Sequence, residues 1–381
     1  MKIHPIPDTA AVRRRSAPFR SLTVFVLLAP WLAVITPEET HAQDKAKTPD
    51  ANLQQWLKQY PEADANGDGI LTESEARAFK QASRKGKNSQ QKEAPGRSLA
   101  PTHADVGYGA HERNKLDFWR ARSDRATPVL VFFHGGSFKA GDKAMVQGRP
   151  IFQECLNAGI SVASVNYRFS SDAPYPAPMH DGARAVQFLR SKAKEWNIRP
   201  DRVAVSGSSA GATLALWIAL HDDLADPASA DPVARHSTRV TCASPHSGTA
   251  GLEAEYFQRH AGVTKLGAAL WQLFGAGSQV EFESADKRAL QRDASPLHHA
   301  TQEDPPLFLT YAGHPSEAPF ASDSAQKDWI HHVCLGLPLK AAYNALGQEC
   351  ELHHQGNPPA PGAEIAFLKR HLLKETTANK R

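Results

Sequence analysis

The chain has 381 residues, enough for one large α/β domain with a small appendage. Lys and Arg exceed Asp and Glu by only four, and the first 42 residues hold five of the former and three of the latter, so the remainder carries +2. That balance leaves no electrostatic case for a nucleic-acid partner.

The N-terminus reads as a targeting segment. Arg13-Arg14-Arg15 and Arg20 form a basic region, Leu22–Ile35 is mostly apolar, and Thr40-His41-Ala42 offers a small residue for cleavage. The apolar run is shorter than the ~20 residues a spanning helix needs, and Pro30 interrupts it. The expectation is a signal peptide over 1–42 and an exported protein, periplasmic, cell-surface or extracellular, with no membrane span after removal. Export permits disulfides among Cys155, Cys242, Cys334 and Cys350. Their spacings match no zinc pattern, and the pair most open to bridging is Cys334–Cys350.

Residues 43–82 contain Asp64-Ala65-Asn66-Gly67-Asp68-Gly69-Ile70-Leu71-Thr72-Glu73-Ser74-Glu75, a twelve-residue EF-hand pattern. Oxygen ligands fall at Asp64, Asn66, Asp68, the Ile70 carbonyl and Glu75, with Gly69 at the sharp turn. Leu53–Tyr60 and Ser74–Ala82 read as flanking short helices. The loop is expected to bind Ca2+ in a structural or tethering role, and as a single hand it suits docking to another molecule. Residues 83–103 are polar, basic and Pro/Gly-bearing, a flexible linker.

From residue 104 onward, strand and helix patterns alternate, which implies a mostly parallel sheet covered on both faces. Strand candidates are Val129–Phe133, Ser161–Val165, Val203–Ser206, Val240–Ala243, Leu307–Tyr311 and Cys350–His353. Helix candidates are Ala144–Ala158, Gly182–Asn197, Ala210–Leu220 and Ala363–Leu373. Residues 246–300 carry aromatic clusters around Tyr256-Phe257 and Trp271–Phe274, read either as a substrate wall or as ordinary packing against the sheet.

Two motifs carry the chemistry. Gly207-Ser208-Ser209-Ala210-Gly211 lies between a β-branched run and a run of good helix formers, the strand–turn–helix context of a nucleophile elbow centred on Ser209. Upstream, the strand Val129–Phe133 ends in His134-Gly135-Gly136-Ser137-Phe138, the composition of an oxyanion-hole loop. N–H groups of Gly135 or Gly136 and of Ala210 are the expected oxyanion donors.

With these motifs the chain resembles the esterase/lipase branch of the α/β-hydrolase superfamily. It is similar to secreted carboxylesterase-like hydrolases related to acetylxylan and feruloyl esterases. The resemblance runs from about Ala104 to Lys374 and includes Gly141-Asp142-Lys143, Asn166-Tyr167-Arg168 and Pro176–Asp181. It implies an α/β-hydrolase domain over 104–381 that needs no cofactor for catalysis. The implied substrate is a small-molecule or polysaccharide-linked short acyl ester.

The resemblance also directs where the remaining catalytic groups are sought. The acid is expected after the strand Leu307–Tyr311, where Glu317 is the nearest carboxylate and Asp323 the next. The Gly-His pair usual after the last strand is replaced by Gln355-Gly356-Asn357-Pro358-Pro359. Four histidines then stand as candidate bases, His331, His332, His353 and His354. His354 is selected because it closes the last strand at the edge where the elbow opens, with His332 as its rival. Two other functions fit the same sequence: a catalytically impaired hydrolase fold that binds a ligand, and a serine peptidase. The peptidase reading is disfavoured because the chain lacks the large N-terminal gating domain of such relatives.

Overall fold

The structure, a computed structural model, describes residues 99–374 and, before them, Leu53, Leu57 and most positions from Pro61 to Ala76 together with Phe79. The segment assigned to a signal peptide and the greater part of the linker lie outside the described residues. The chain divides between Pro95 and Gly96.

In the N-terminal unit the segment with the EF-hand pattern forms a tight loop. Ala63, Leu71 and Ala76 are buried, with Leu53, Leu57 and Phe79 packed against them. Thr72 and Glu75 form a reciprocal capping box: Thr72 N–H donates to Glu75 Oε2 at 3.0 Å and Glu75 N–H to Thr72 Oγ1 at 3.3 Å.

The second unit is built on an eight-stranded sheet. The strands are β1 (His103–Gly107), β2 (Lys115–Trp119), β3 (Thr127–Phe133), β4 (Ser161–Val165), β5 (Ile198–Ser208), β6 (Cys242–His246), β7 (Leu307–Thr310) and β8 (Cys350–His353). Their order is β1-β2-β4-β3-β5-β6-β7-β8. β1 and β2 enter antiparallel, and every pairing from β4–β3 to β7–β8 is parallel. Parallel strands need crossovers, and helices supply them. The helices of six or more residues are α1 (Pro150–Asn157), α2 (Ala177–Ser191), α3 (Ala210–Leu220), α4 (Ala254–Ala261), α5 (Ala268–Leu273), α6 (Ala285–Ala294), α7 (Leu337–Leu346) and α8 (Ala363–Leu372). This is the α/β-hydrolase architecture that the motifs imply.

Alternation along the strands sorts the core onto two faces. Val129, Val131 and Phe133 of β3 join Val203 and Val205 under α2 and α3. Leu130 and Phe132 join Ala204, Cys242 and Phe308 under α1 and α8. All seven residues of β3 are buried, which explains the unbroken apolar run in its sequence.

Several boundaries move for local reasons. The expected helix 144–158 splits, because Pro150 cannot donate a helical N–H: residues 143–148 form a 3-10 turn and α1 starts at the proline. α2 begins five residues before Gly182, at Ala177, since Pro178 is tolerated in the first turn. The end of the expected linker already belongs to the sheet unit, where His103 opens β1 and the Leu99 carbonyl accepts from the Trp119 indole at 2.7 Å. The four cysteines are free and buried, so the Cys334–Cys350 bridge is not formed. Burial raises both thiols, to about 11 for Cys334 and about 12 for Cys350. Among the described residues no helix is long and apolar enough to cross a membrane.

Candidate active site

Ser209 sits between β5 and α3 with φ 53° and ψ −119°, a conformation that costs a non-glycine residue roughly 1–3 kcal/mol. The surrounding packing holds it there. A Cβ on Gly211 would stand 2.1 Å from the Phe133 carbonyl oxygen, and one on Gly207 would stand 2.3 Å from the Gly211 carbonyl oxygen. Only glycine lets helix and strands approach this closely. The Ser209 N–H donates to the His246 carbonyl at 2.9 Å, and its own carbonyl accepts from Ala212 and Thr213 as α3 begins. The strained turn thus carries its hydroxyl at the head of a fully buried helix.

The oxyanion loop leaves the end of β3 beside this turn. A Cβ on Gly135 would meet the Ser208 carbonyl oxygen at 2.9 Å and the Ser209 Cβ at 3.4 Å, so the loop lies against the elbow. Gly136 (φ 123°), Ser137 (φ 55°) and Phe138 (φ 56°) turn it back, with the Gly136 carbonyl accepting from Lys139 and Ala140. The N–H groups of Gly135, Gly136 and Ala210 meet no acceptor among the described residues, the state required of donors awaiting an oxyanion.

The motif residues behind the loop brace it. The Tyr167 hydroxyl donates to the His134 carbonyl at 2.7 Å, and its ring stacks on His134 at 4.4 Å. Asp142 accepts from Asn166 at 2.8 Å, and Asn166 accepts from the Lys143 N–H at 2.7 Å. The Lys143 ammonium, itself buried, reaches Asp117 and Asp105, each at 2.8 Å. Arg168 makes a two-pronged pair with the buried carboxylate of Asp181 at 2.8 and 2.6 Å.

Among the histidines, the one brought to the nucleophile is His331. Its Nε2 is 2.8 Å from Ser209 Oγ. It lies in the turn after the short helix Gln326–Trp329, and that turn is strapped to the extension of β7. Ala312 N–H donates to the His331 carbonyl at 3.0 Å, Val333 N–H donates to the Ala312 carbonyl at 2.9 Å, and Ala312 and His332 form a parallel bridge. Partial burial lowers the His331 pKa below the ordinary imidazole value, so the ring stands neutral and able to accept a proton at pH 7. No carboxylate among the described residues pairs with it.

The expectations for His354, its rival His332 and Glu317 are corrected accordingly. His354 faces a separate cleft of about 580 Å3 shared with Arg149, His246, His353 and Glu364, while Ser209 lines a different pocket. The reason is local: after β8 the chain turns sharply, His354 bridges to Asn357, and its Nδ1 accepts from Gly356 N–H at 3.1 Å. Neither His332 nor His353 is the histidine that meets Ser209. The His332 ring is buried and turned to the post-β7 loop. Its Nδ1 accepts from Cys334 N–H at 3.2 Å, so its Nε2–H donates to the His314 carbonyl at 3.0 Å. Glu317 Oε2 lies 3.4 Å from this same nitrogen. Glu317 therefore touches His332 rather than His331. Asp323 is exposed.

The pocket at Ser209 is small, about 60 Å3. Leu252 and Phe257, Leu270 and Leu273 of the 246–300 insertion wall it, with Ile330 and Phe138. The aromatic-rich insertion therefore lines the pocket beside Ser209 and also packs into the main core. The volume admits roughly two to four heavy atoms.

The Asp64–Glu75 loop has hydrogen bonds that gather its oxygens. Gly69 N–H donates to Asp64 Oδ2 and Ile70 N–H to Asp68 Oδ1, each at 2.8 Å, and Asp68 N–H donates to Asn66 Oδ1 at 3.0 Å. Gly69 takes the left-handed φ of 79° that the sharp turn requires. Glu75 is held by Thr72, whose hydrogen bonds lower its pKa, so the twelfth-position carboxylate is ionised. Hard oxygens at this spacing fit a calcium ion.

The chain is similar to known ester hydrolases in sequence and shares their fold. The BD-FAE family model matches residues 116–321, which take in the oxyanion loop, the elbow and Glu317 and stop short of His331. The esterase LipQ of Mycobacterium tuberculosis is 29% identical over 237 residues, covering 61% of this chain and 53% of LipQ. The probable carboxylic ester hydrolase LipM of the same organism is 27% identical over 291 residues, covering 68% of this chain and 64% of LipM. The chain thus spans about half the length of the first of these relatives and under two thirds of the second. Among solved structures, a truncated carbohydrate esterase from gut microbiota superposes with a TM-score of 0.57 at 18% identity, covering 74% of this chain and all of that one. The acetyl ester-xyloside bifunctional hydrolase of Caldicellulosiruptor lactoaceticus gives 0.53 at 22%, covering 72% of this chain and 94% of that one. These two likenesses concern the fold.

Proposed function

The chain belongs to the BD-FAE family, and we propose that it is a serine carboxylic ester hydrolase acting on short acyl esters. The observation that carries this reading is the 2.8 Å contact between Ser209 Oγ, on its strained elbow, and His331 Nε2.

The reaction follows from the atoms present. Ser209 Oγ attacks the ester carbonyl carbon while His331 Nε2 takes its proton. The carbonyl oxygen becomes an oxyanion and accepts from the N–H groups of Ala210 and of Gly135 or Gly136. The tetrahedral adduct collapses, the ester C–O bond breaks, and the alcohol leaves with the proton from His331. A water then attacks the Ser209 acyl ester, gives its proton to His331, and the carboxylic acid departs as Ser209 recovers its hydrogen. His331 becomes an imidazolium twice in the cycle without a paired carboxylate, and its solvent-exposed edge leaves that charge to water.

The small apolar pocket favours acetyl to butyryl chains, held by Leu270, Leu273 and Phe257. On the alcohol side we place a sugar, polysaccharide-linked esters included, following the names of the carbohydrate-ester hydrolases that share the fold. The protein is exported by its basic and apolar N-terminal segment. It carries one Ca2+ on Asp64, Asn66, Asp68, the Ile70 carbonyl and Glu75, in a structural or docking role. A panel of p-nitrophenyl esters tests the reading: kcat/KM highest at acetate to butyrate and collapsing by octanoate supports it. A flat or rising profile, or no turnover of any ester, overturns it.

A further inference from the structure

At the far end of the nucleophile helix three side chains converge on one point. His221 follows α3, Asp293 lies in the last turn of α6, and His299 ends the 3-10 turn Pro296–His299. One ligand atom from each lies within 4.8 Å of the other two. The helix places this cluster about 18 Å from Ser209, at ~1.5 Å of rise per residue. Ester chemistry does not use it.

The hydrogen bonds around the cluster prepare it to bind. His221 Nδ1 is 3.0 Å from the Asp222 carbonyl, and a carbonyl only accepts, so the proton sits on Nδ1 and the lone pair is left on Nε2. His299 Nε2 is 2.7 Å from the Asp293 carbonyl, which by the same argument leaves the lone pair on Nδ1. Asp293 is held in turn: the Tyr175 hydroxyl donates to its Oδ2, and the Trp217 indole donates to its carbonyl at 3.1 Å. The His221 ring is fixed between Trp217, at 4.1 Å, and His299, at 4.6 Å. Imidazoles that give their other N–H to a carbonyl, with a carboxylate oriented by a hydroxyl, are the arrangement by which metal ligands are aimed.

We propose that His221, Asp293 and His299 bind a divalent transition-metal ion of the zinc type. Two imidazole nitrogens and one carboxylate suit zinc far better than calcium or magnesium, which take oxygen sets. The three ligands leave a fourth tetrahedral position for water. The ion joins the end of the nucleophile helix to the C-terminal end of the acyl-pocket insertion. Tyr175 extends this tie, because its N–H donates to the carbonyl of the pocket residue Leu273 at 2.6 Å.

The test is Zn2+ titrated calorimetrically into the full chain in excess Ca2+, which keeps the acidic N-terminal loop filled. One Zn2+ per chain is expected, with a rise in melting temperature. His221→Ala and His299→Ala should each weaken binding at least about tenfold. Asp293→Asn, which keeps the side-chain shape, should weaken it as well, and Co2+ loaded in place of Zn2+ should show a tetrahedral visible spectrum that His299→Ala loses. Absence of binding to the wild type, or undiminished affinity in both histidine variants, overturns the site. Either result is read from binding alone and is independent of whether Ser209 hydrolyses esters.

Discussion

The two halves of the site are built differently. The nucleophile and its oxyanion loop sit on β3, β5 and α3, where backbone meets backbone so closely that Gly207 and Gly211 admit no side chain. His331 sits on a turn beyond β7, held by two hydrogen bonds to Ala312 and a single bridge. In the first half chemistry and packing demand the same residues, so the demand is written as a motif. In the second, any turn that delivers an imidazole to Ser209 suffices, and many sequences meet that condition.

Four substitutions sharpen this contrast. Ser209→Ala should have the largest effect, a loss of order 10⁶ in kcat, because removing the nucleophile alone costs about as much as removing the whole catalytic set. The measurement is p-nitrophenyl acetate turnover with stability checked by melting. Glu317→Gln should lower kcat by less than about tenfold, whereas the acid of a full triad costs ~10⁴. A loss near 10⁴ would mean that Glu317 reaches His331 during turnover and that the site works as a triad. Leu270→Ala opens the wall of the acyl pocket, and the ratio of hexanoate to acetate kcat/KM should rise several-fold, since each methylene accommodated is worth ~1 kcal/mol. An unchanged ratio would place the acyl chain elsewhere. His354→Ala should leave turnover within about twofold, as its ring borders the other cleft.

The pH profile tests the same base without a substitution. Burial favours the neutral imidazole of His331, which is the form that accepts the serine proton. The acid limb of kcat/KM should therefore fall with a midpoint below 6.5, the ordinary histidine value, with activity retained as pH drops through that value. A midpoint above 6.5 would indicate a carboxylate stabilising the imidazolium.

The same contrast explains what the sequence discloses. β4 and β8 are read to the residue, although only β4 is buried along its whole length, while β8 is an edge strand that buries Cys350 and leaves Glu351, Leu352 and His353 partly exposed. Ser209 and the glycines around it are legible for the steric reason given above. His331 is present in the sequence only as the first of two adjacent histidines after Trp329-Ile330. Nothing in its neighbourhood separates it from His332, since which of two consecutive residues faces Ser209 is decided by the long-range bridge between Ala312 and His332. The rule that places the base after the last strand fails because Pro358 and Pro359 follow a tight turn that directs His354 into another cleft. The insertion's role as a pocket wall is half legible: its aromatic residues announce burial, but not that Leu270 and Leu273 would end beside the nucleophile.

The central claim is that His331 activates Ser209, and fluorophosphonate labelling measures that activation directly because the probe reacts with an activated serine whatever the natural ester. The wild type and His354→Ala should label at the same rate, and His331→Ala should label slower by orders of magnitude while melting as the wild type does. Wild-type labelling by His331→Ala, with the rate lost instead in His354→Ala or His332→Ala, would contradict the account.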